Sequence, residues 1–534
     1  MKKRIICFLT AIIITFVSLF SRLLYISVTP ISASDTNCTR VREIGYVRGM
    51  IYDRNLNPIV NNKYREKLLI LPTEEAMAIM KRNGADDEIL KELSDGYFVI
   101  KDKEATESIV SSDSIKVIKT YERYGNNSLV HLIGYTDSSG TGVCGIEKYY
   151  NDLLSSQGGK LEVIYSADAT GRILTGEDVE IRNTGYYDYD GIVLTIDKDI
   201  QNICENALEN NDITKGAVVV MDVKTSEILG CVSVPYYDRS NLSESIDSPL
   251  SPFINRAFTA YPVGSVFKIV TSAAAIENGI RLPKFNCMGY VTKSGNTFNC
   301  SDITGHGYID FNLALSDSCN PYFIDLGTKV GGENLLLTAG KLGFGKETDF
   351  GNGYITDKGN LPSIQSLNSD AAIGNFAFGQ GELTATPVQI ANLFACIGNG
   401  GILNEPRLIY GYTDKSGALS PLSGKEGTRV LSENTCNILK EALSFTTIDG
   451  TGKYAFSSLY SCCSKTATAQ SGQYDENGKE ILFCWFGGFF PADNPKYAIC
   501  VMVEDGISGG TDCAPVFKEI AEGIIGNGKL QMTN

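Results

Sequence analysis

The stretch Tyr261-Pro-Val-Gly-Ser-Val-Phe-Lys268 decides how the rest of the chain is interpreted. Pro262 prevents a helix from entering from upstream, and residues 269–276 form an apolar run that is typical of a buried helix. Ser265 is therefore expected at the start of that helix, with Lys268 one turn later on the same face. A lysine amine in this place can accept the serine proton, and a helix start favours negative charge. The alternative is an N-cap serine beside a surface lysine.

Composition and charge exclude several kinds of partner and of catalytic site. The chain has 534 residues, which is enough for two or three domains, and a formal net charge of −15. That charge argues against nucleic acid, or an anionic membrane surface, as the main partner. Because His131 and His306 are the only histidines, we expect no Ser-His-Asp triad, no histidine-based metal site and no cofactor. A nucleophilic serine in this chain would then need a lysine as its base.

The chain contains fifteen cysteines, and many of them lie within apolar runs, where cysteine behaves as a small core residue. Cys287 and Cys300 are different because they flank a predicted hairpin, residues 290–298. If the domain is exported, these two are the best candidates for a disulfide.

The N-terminus has the pattern of a membrane anchor. Residues 1–4 carry a positive cluster, and residues 5–27 are apolar apart from Arg22, which can extend its charged end toward the interface. We predict a short cytoplasmic tail, a single transmembrane helix and an extracytoplasmic remainder. The alternative is a signal peptide that is cleaved near residues 31–34.

The remainder divides into two predicted domains. Residues 28–190 are expected to form a mainly β domain of the pedestal or dimerisation type, and residues 191–530 a second domain with its own core. In the second domain a predicted strand pair is followed by many helices and then by three more strands; these strands are 217–222, 228–234, 464–470, 483–490 and 497–503. This order predicts an α/β (α+β) fold, in which both ends of the domain complete one antiparallel sheet around a helical insert.

Two further polar clusters lie in the second domain. In Ser318-Cys-Asn320 the serine can relay a proton, and the asparagine amide can both donate to and accept from a peptide group. Lys465-Thr-Ala-Thr468 begins a predicted strand, where it could bind a carboxylate and supply a backbone N–H to an oxyanion hole. Each cluster alone could be an ordinary loop or strand. Together with Ser265 and Lys268 they follow the order S-x-x-K, S-x-N, K-T-x of serine β-lactamases and penicillin-binding proteins.

On these motifs the chain resembles the class B penicillin-binding proteins of the 2/A type, which are membrane-anchored peptidoglycan D,D-transpeptidases. The resemblance covers nearly the whole chain, and its further landmarks are Arg48-Gly49, Gly145-Ile-Glu147, Gly379-Gln-Gly381 and Trp485-Phe-Gly-Gly-Phe489. It implies a serine transpeptidase/β-lactamase-like fold behind a single-pass helix in the cell membrane. The partners it implies are D-Ala-D-Ala stem peptides of peptidoglycan, β-lactams, the membrane and a membrane glycosyltransferase.

The resemblance also implies a role for each cluster residue. The implied catalytic set is Ser265 as nucleophile, Lys268 as its base, Ser318 as proton shuttle, Asn320 as a holder of donor peptide and lysine, and Lys465. The implied substrate-binding set is Thr466, Ala467 and Thr468, with the N–H groups of Ser265 and Thr468 forming the oxyanion hole.

One residue departs from the family pattern, because the third motif usually ends in glycine and here ends in Ala467. An added Cβ would crowd the substrate or tilt the strand, so we expect an altered substrate or β-lactam preference. Two alternative functions remain on the same fold. One is a β-lactam hydrolase or sensor, and the other is a non-enzymatic scaffold for wall synthesis.

Overall fold

The computed structural model describes residues 2–28, 38–103, 112–174, 178–475 and 477–529. The chain begins with a helix, Lys2–Val28, whose window Phe8–Tyr25 is apolar and long enough to cross a membrane. The remainder forms two compact units. The first contains Met1–Val47, Lys63–Glu122 and Gly159–Tyr187, and the second contains Arg48–Asn62, Arg123–Gly158 and Asp188–Asn534.

Besides the helix Lys2–Val28, the described residues of the first unit form two three-stranded antiparallel sheets and two short helices. One sheet has the order Cys38–Val47, Gly159–Ala167, Glu180–Thr184. The other has the order Val99–Asp102, Lys63–Ile70, Ile115–Glu122. The helices are Glu74–Arg82, which Thr73 caps with its side chain, and Asp87–Ser94.

Two earlier segments, Arg48–Asn62 and Arg123–Gly158, belong to the second unit together with the long segment that begins at Asp188. The side chains of these two segments form a buried ion pair, in which Arg48 Nε donates to Glu147 Oε2 at 3.0 Å. In addition, Met50–Tyr52 pairs in parallel with Gly191–Leu194 of the second unit. Charge pairing and sheet pairing therefore join segments of the second unit that are distant along the chain.

The second unit is built on a five-stranded antiparallel sheet. Its strands are β1 (Gly216–Asp222), β2 (Ile228–Val234), β3 (Cys463–Tyr474), β4 (Glu480–Phe490) and β5 (Tyr497–Glu504). Their order is β2-β1-β5-β4-β3, so strands from both ends of the domain form one sheet and β3 lies at its edge. The predicted antiparallel sheet is therefore confirmed.

Shorter pairings complete the strands of this unit. Leu419–Pro421, Ile409–Thr413, Gly191–Leu194 and Met50–Tyr52 form a four-stranded sheet. The two-stranded pairs are Tyr261–Pro262 with Thr384–Ala385, Phe285–Cys287 with Gly307–Ile309, Tyr290–Lys293 with Asn296–Asn299, and Ile402–Leu403 with Thr428–Arg429.

Helices cover both faces of the central sheet. Six of the described helices are α1 (Lys198–Asn210), α2 (Lys268–Glu277), α3 (Asn320–Val330), α4 (Pro387–Gly398), α5 (Glu433–Ile448) and α6 (Ala514–Gly526). The others are Val130–Ile133, Gly145–Tyr149, Asn151–Ser156, Leu242–Ile246, Phe311–Ser316, Gly332–Lys341 and Asp370–Ala377. Along β1, Val218 and Val220 pack with α1 and α6, whereas Val219 and Met221 pack in the larger core with α2 and α4. This alternation is the two-residue period of a strand that is buried on both faces.

Candidate active site

Ser265 lies in a single 3-10 turn, Gly264–Phe267, that leads directly into α2. Gly264 has a φ of 62°, which favours glycine, and its N–H donates to Gly379 O at 3.0 Å. A Cβ on Gly264 would lie 3.1 Å from the Cβ of Ala469 on β3. Glycine thus lets the start of the helix approach the edge strand, and this contact places Ser265 beside β3.

Lys268 is fully buried and joins the first two motifs. Its Nζ lies 3.0 Å from both Ser265 Oγ and Ser318 Oγ, and it donates to Ser318 O at 2.6 Å and to Asn320 Oδ1 at 2.7 Å. Two of these four partners are carbonyl oxygens, which can only accept hydrogen bonds. A neutral amine can donate its two N–H groups to these carbonyls, and its lone pair is then free to accept from a hydroxyl. Burial lowers the pKa of Lys268 to about 7, so the neutral amine is accessible near neutral pH.

The second motif is a tight turn at the start of α3. Ser318 has a φ of 60°, in the left-handed region that non-glycine residues rarely adopt, and Cys319 occupies the N-cap position of the helix. This conformation directs both oxygens of Ser318 to the same lysine nitrogen. Unusual backbone conformations of this kind persist where surrounding contacts hold them, and they cluster at functional sites.

The third motif lies on β3. The register between β3 and β4 is continuous from Cys463 to Gln470, so Ala467 is accommodated without a bulge. Ala467 is buried in the larger core, whereas Thr468 is exposed toward the cleft. The strand is therefore not displaced from its register by the extra methyl group.

Lys465 is fully buried behind the cleft surface rather than on it. Its Nζ donates to Thr466 O at 2.9 Å. Burial, together with the nearby charge of Lys268, holds the pKa of Lys465 well below its usual range. Two lysines in one buried region favour the neutral form of at least one of them.

The three motifs meet in one cleft of about 420 Å³. The predicted residues that line it are Ser265, Ser318, Asn320, Thr466, Ala467 and Thr468. All of the predicted site residues are therefore brought together, with Lys268 and Lys465 buried beneath the surface.

The cleft also contains residues that the sequence did not identify as part of the site, among them Gln380, Thr451 and Ser508. Thr451 Oγ1 lies 2.5 Å from Thr466 Oγ1 and so steadies the third motif. Gln380 lies within the landmark Gly379-Gln-Gly381, and Thr451 is flanked by two glycines shortly after α5. Such patterns indicate loops near a functional site, but they do not predict which side chains line the cleft.

A serine hydrogen-bonded to a buried lysine, at a helix start beside the edge strand of an antiparallel sheet, defines the class of serine acyltransferases that use a lysine base. Residues 216–522 match the family described as the penicillin binding protein transpeptidase domain. The chain belongs to this family.

Curated relatives place the chain among the class B members, which confirms the resemblance. It is 28% identical over 517 residues to stage V sporulation protein D of Bacillus subtilis, covering 89% of this chain and 77% of that protein. It is 30% identical to penicillin-binding protein PbpB of Mycolicibacterium smegmatis, covering 75% of this chain and 64% of that protein. It is 26% identical to the peptidoglycan D,D-transpeptidase FtsI of Escherichia coli, with 74% and 65% covered.

Solved structures confirm the expected fold. A D,D-transpeptidase domain from Eggerthella lenta superposes with a TM-score of 0.66 at 23% identity, covering 91% of this chain and 99% of that one. Penicillin binding protein 3 of Mycobacterium tuberculosis, complexed with aztreonam, gives a TM-score of 0.65 at 22% identity, covering 93% and 98%.

Proposed function

We propose that this protein cross-links peptidoglycan as a D,D-transpeptidase, with Ser265 as its nucleophile, and that β-lactams acylate the same serine. One observation carries the proposal. The Nζ of Lys268 lies within hydrogen-bonding distance of the hydroxyls of both Ser265 and Ser318. One buried amine can therefore take a proton from the first hydroxyl and pass it on through the second.

The first half of the reaction uses this relay. Ser265 Oγ attacks the carbonyl carbon of the penultimate D-Ala while its proton moves to Lys268. The amide bond to the terminal D-Ala breaks, and Ser318 delivers a proton to the departing amine. The product is an ester between Ser265 and the stem peptide.

The second half reverses these roles. An amine of a second stem peptide attacks the ester carbonyl, loses its proton to the same relay and releases Ser265. The result is one new amide bond and a free enzyme, so no net proton or electron is consumed. A strained β-lactam amide enters the first half, and its ring-opened product remains on Ser265.

The residues around the cleft are proposed to bind the substrate. Asn320 holds the donor peptide through its amide, and Thr466 binds the carboxylate side of the substrate. Lys465 acts on the same carboxylate side from behind the cleft surface. The N–H groups of Ser265 and Thr468 are proposed as the oxyanion hole. Both residues line the same cleft, which supports their joint action on one carbonyl oxygen.

The N-terminal helix is proposed to anchor the protein in the cell membrane, with the transpeptidase unit outside. Its apolar window Phe8–Tyr25 supports this, as do curated relatives that are named peptidoglycan D,D-transpeptidases. A membrane glycosyltransferase is the proposed partner, since cross-linking needs newly polymerised strands.

Labelling of the purified full chain with a fluorescent penicillin tests the catalytic proposal. The unsubstituted protein is expected to form a stable fluorescent adduct and Ser265→Ala none. Ser243→Ala, a change at an exposed serine that does not line the cleft, serves as the matched control and is expected to label normally.

Two outcomes favour the alternative functions. Equal labelling of Ser265→Ala and the unsubstituted protein, or no labelling of either, would support a non-enzymatic scaffold. Rapid release of the label as hydrolysed penicillin would instead support a β-lactam hydrolase.

A further inference from the structure

Three cysteines and a histidine converge beside the second motif. The ligand atoms of Cys287, Cys300, His306 and Cys319 all lie within 4.8 Å of one another. The Sγ of Cys300 is 3.4 Å from Nδ1 of His306. The three cysteines are buried, and His306 is partly exposed.

This arrangement corrects the expected disulfide. Cys287 and Cys300 are both free thiols in the structure. The pairing was inferred from two cysteines that flank a hairpin, but the fold brings a third thiol and an imidazole to the same place. Four converging donors are better explained by a shared ligand than by a bond between two of them.

We infer that Cys287, Cys300, His306 and Cys319 bind one zinc ion. Three thiolates and one imidazole form a tetrahedral donor set that closed, structural zinc sites use. Zinc–sulfur bonds of about 2.3 Å place tetrahedral ligand atoms about 3.8 Å apart, so only small movements are needed. The absence of a metal was expected because the chain has few histidines, but three thiols supply the other ligands.

The local backbone is built to hold these donors. Phe285–Cys287 pairs with Gly307–Ile309, and the N–H of Cys300 donates to Gly289 O at 2.8 Å. A Cβ on Gly289 would lie 2.2 Å from Ile303 O, and Gly289 has a φ of 86°. The turn therefore closes tightly on itself and brings Cys287 and Cys300 together.

Apart from Phe285, Cys287, Cys300 and Ile309, which pack in or against the larger core, the same segment has little apolar burial to stabilise it. Its strands are three or four residues long, and the side chains of Ile303 and Tyr308 are each 80% exposed. Short strands with an exposed surface contribute little folding free energy by themselves. A structural metal ion supplies that free energy directly, as it does in other small metal-bound segments.

The ion would also position the second motif, and this consequence rests on the proposed function. Cys319 stands between Ser318 and Asn320, and both neighbours contact Lys268. The Nδ2 of Asn320 donates to Asn299 O at 3.1 Å, next to the ligand Cys300. A zinc–sulfur bond at Cys319 would therefore hold the left-handed turn that directs Ser318 to Lys268.

Metal content of the full chain, purified in detergent with a reductant, tests the site. We expect about one zinc ion per chain, and its loss in Cys300→Ser and in His306→Asn. Cys144→Ser is the matched control, because Cys144 is a partly exposed thiol outside the cluster, and it is expected to keep its zinc. Replacement of zinc by cobalt(II) is expected to give the visible absorption of a tetrahedral thiolate complex.

Three results would overturn the zinc site. They are a zinc-free protein after purification with added zinc, equal zinc content in Cys300→Ser and Cys144→Ser, and alkylation under denaturing conditions that leaves Cys287 and Cys300 bonded to each other. His306→Asn alters a partly exposed side chain, so it gives a second reading if Cys300→Ser fails to fold.

The positioning role has its own measurement. Removal of zinc by a chelator is expected to lower the penicillin acylation rate on the order of 100-fold, and added zinc to restore it, because a shift of about 1 Å has that effect on a reacting group. An unchanged rate in the zinc-free protein would refute the positioning role. Zinc binding without any labelling would refute the proposed function and leave the metal site standing.

Discussion

At the scale of single residues, Lys268 sets the pH dependence of acylation. Its pKa is lowered by burial to about 7, and only the neutral amine can accept the proton of Ser265. The acylation rate is therefore expected to fall about tenfold per pH unit below that value and to level off above it. Fluorescent penicillin labelling between about pH 5 and about pH 9 measures this.

The matched variant is Lys268→Arg, whose guanidinium stays protonated throughout this range. It is expected to show no acylation at any of these pH values. A labelling rate that does not change with pH in the unsubstituted protein would contradict the role of Lys268 as the base.

Ala467 is the residue at which the third motif departs from the family pattern. Ala467→Gly is expected to keep Ser265 reactive but to change the ratio of acylation rates for a penicillin and for aztreonam. It should also lower the free energy of unfolding by about 1–2 kcal/mol, because a buried methyl is lost and glycine weakens a strand interior. Competition labelling and thermal unfolding measure the two effects, and an unchanged ratio would show that the methyl group does not influence preference.

At the scale of secondary structure, the turn before α2 depends on Gly264. Gly264→Ala places a Cβ against β3 and strains a left-handed backbone, so acylation is expected to fall steeply and stability to drop by about 1–2 kcal/mol or more. Gly279 offers a control at the other end of α2, since its φ is 68° and no described atom would meet its Cβ within 4 Å. Gly279→Ala should lower stability through the strained backbone but leave the acylation rate unchanged. An equal loss of acylation in both variants would show that close packing against β3 is not the cause.

Several elements were predictable because their signals are local. The order of strands and helices in the second unit follows from apolar periodicity, and the place of Ser265 at a helix start follows from Pro262. The left-handed turn at Ser318 gave no such signal, because serine is uncommon there and the surrounding contacts impose it. The proximity of Cys319 to Cys287 could not be predicted either, because it depends on how the hairpin packs in the tertiary structure.

At the scale of the whole molecule, the second unit depends on a buried charge network. Glu147 accepts from Arg48 Nε at 3.0 Å, from Arg123 Nε at 2.7 Å and from Tyr124 at 2.9 Å. Burial alone would raise the pKa of Glu147, but Arg123 and Arg48 hold it below its usual range. Its stabilising effect is therefore present at neutral pH and is lost as pH falls through that lowered pKa.

Glu147→Gln is expected to lower the free energy of unfolding by about 3–5 kcal/mol, because it leaves buried guanidinium groups without their counter-charge. Glu405→Gln is the control, since Glu405 pairs with Lys425 at an exposed surface, where such pairs contribute about 0–1 kcal/mol. Denaturant unfolding of both variants measures the difference. The network joins residues that are distant along the chain, and such pairing of charges leaves no local pattern in the sequence.

The burial of Lys465 places selection for folding stability in conflict with selection for activity. An amine that is fully enclosed and hydrogen-bonded to Thr466 O opposes folding, yet the proposed chemistry requires it. Lys465→Met is expected to raise the free energy of unfolding by about 0.5–2 kcal/mol and to abolish most cross-linking. Variants of this protein that are selected only for thermal stability should therefore lose Lys465. If Lys465 is retained under such selection, the buried amine does not lower the free energy of unfolding.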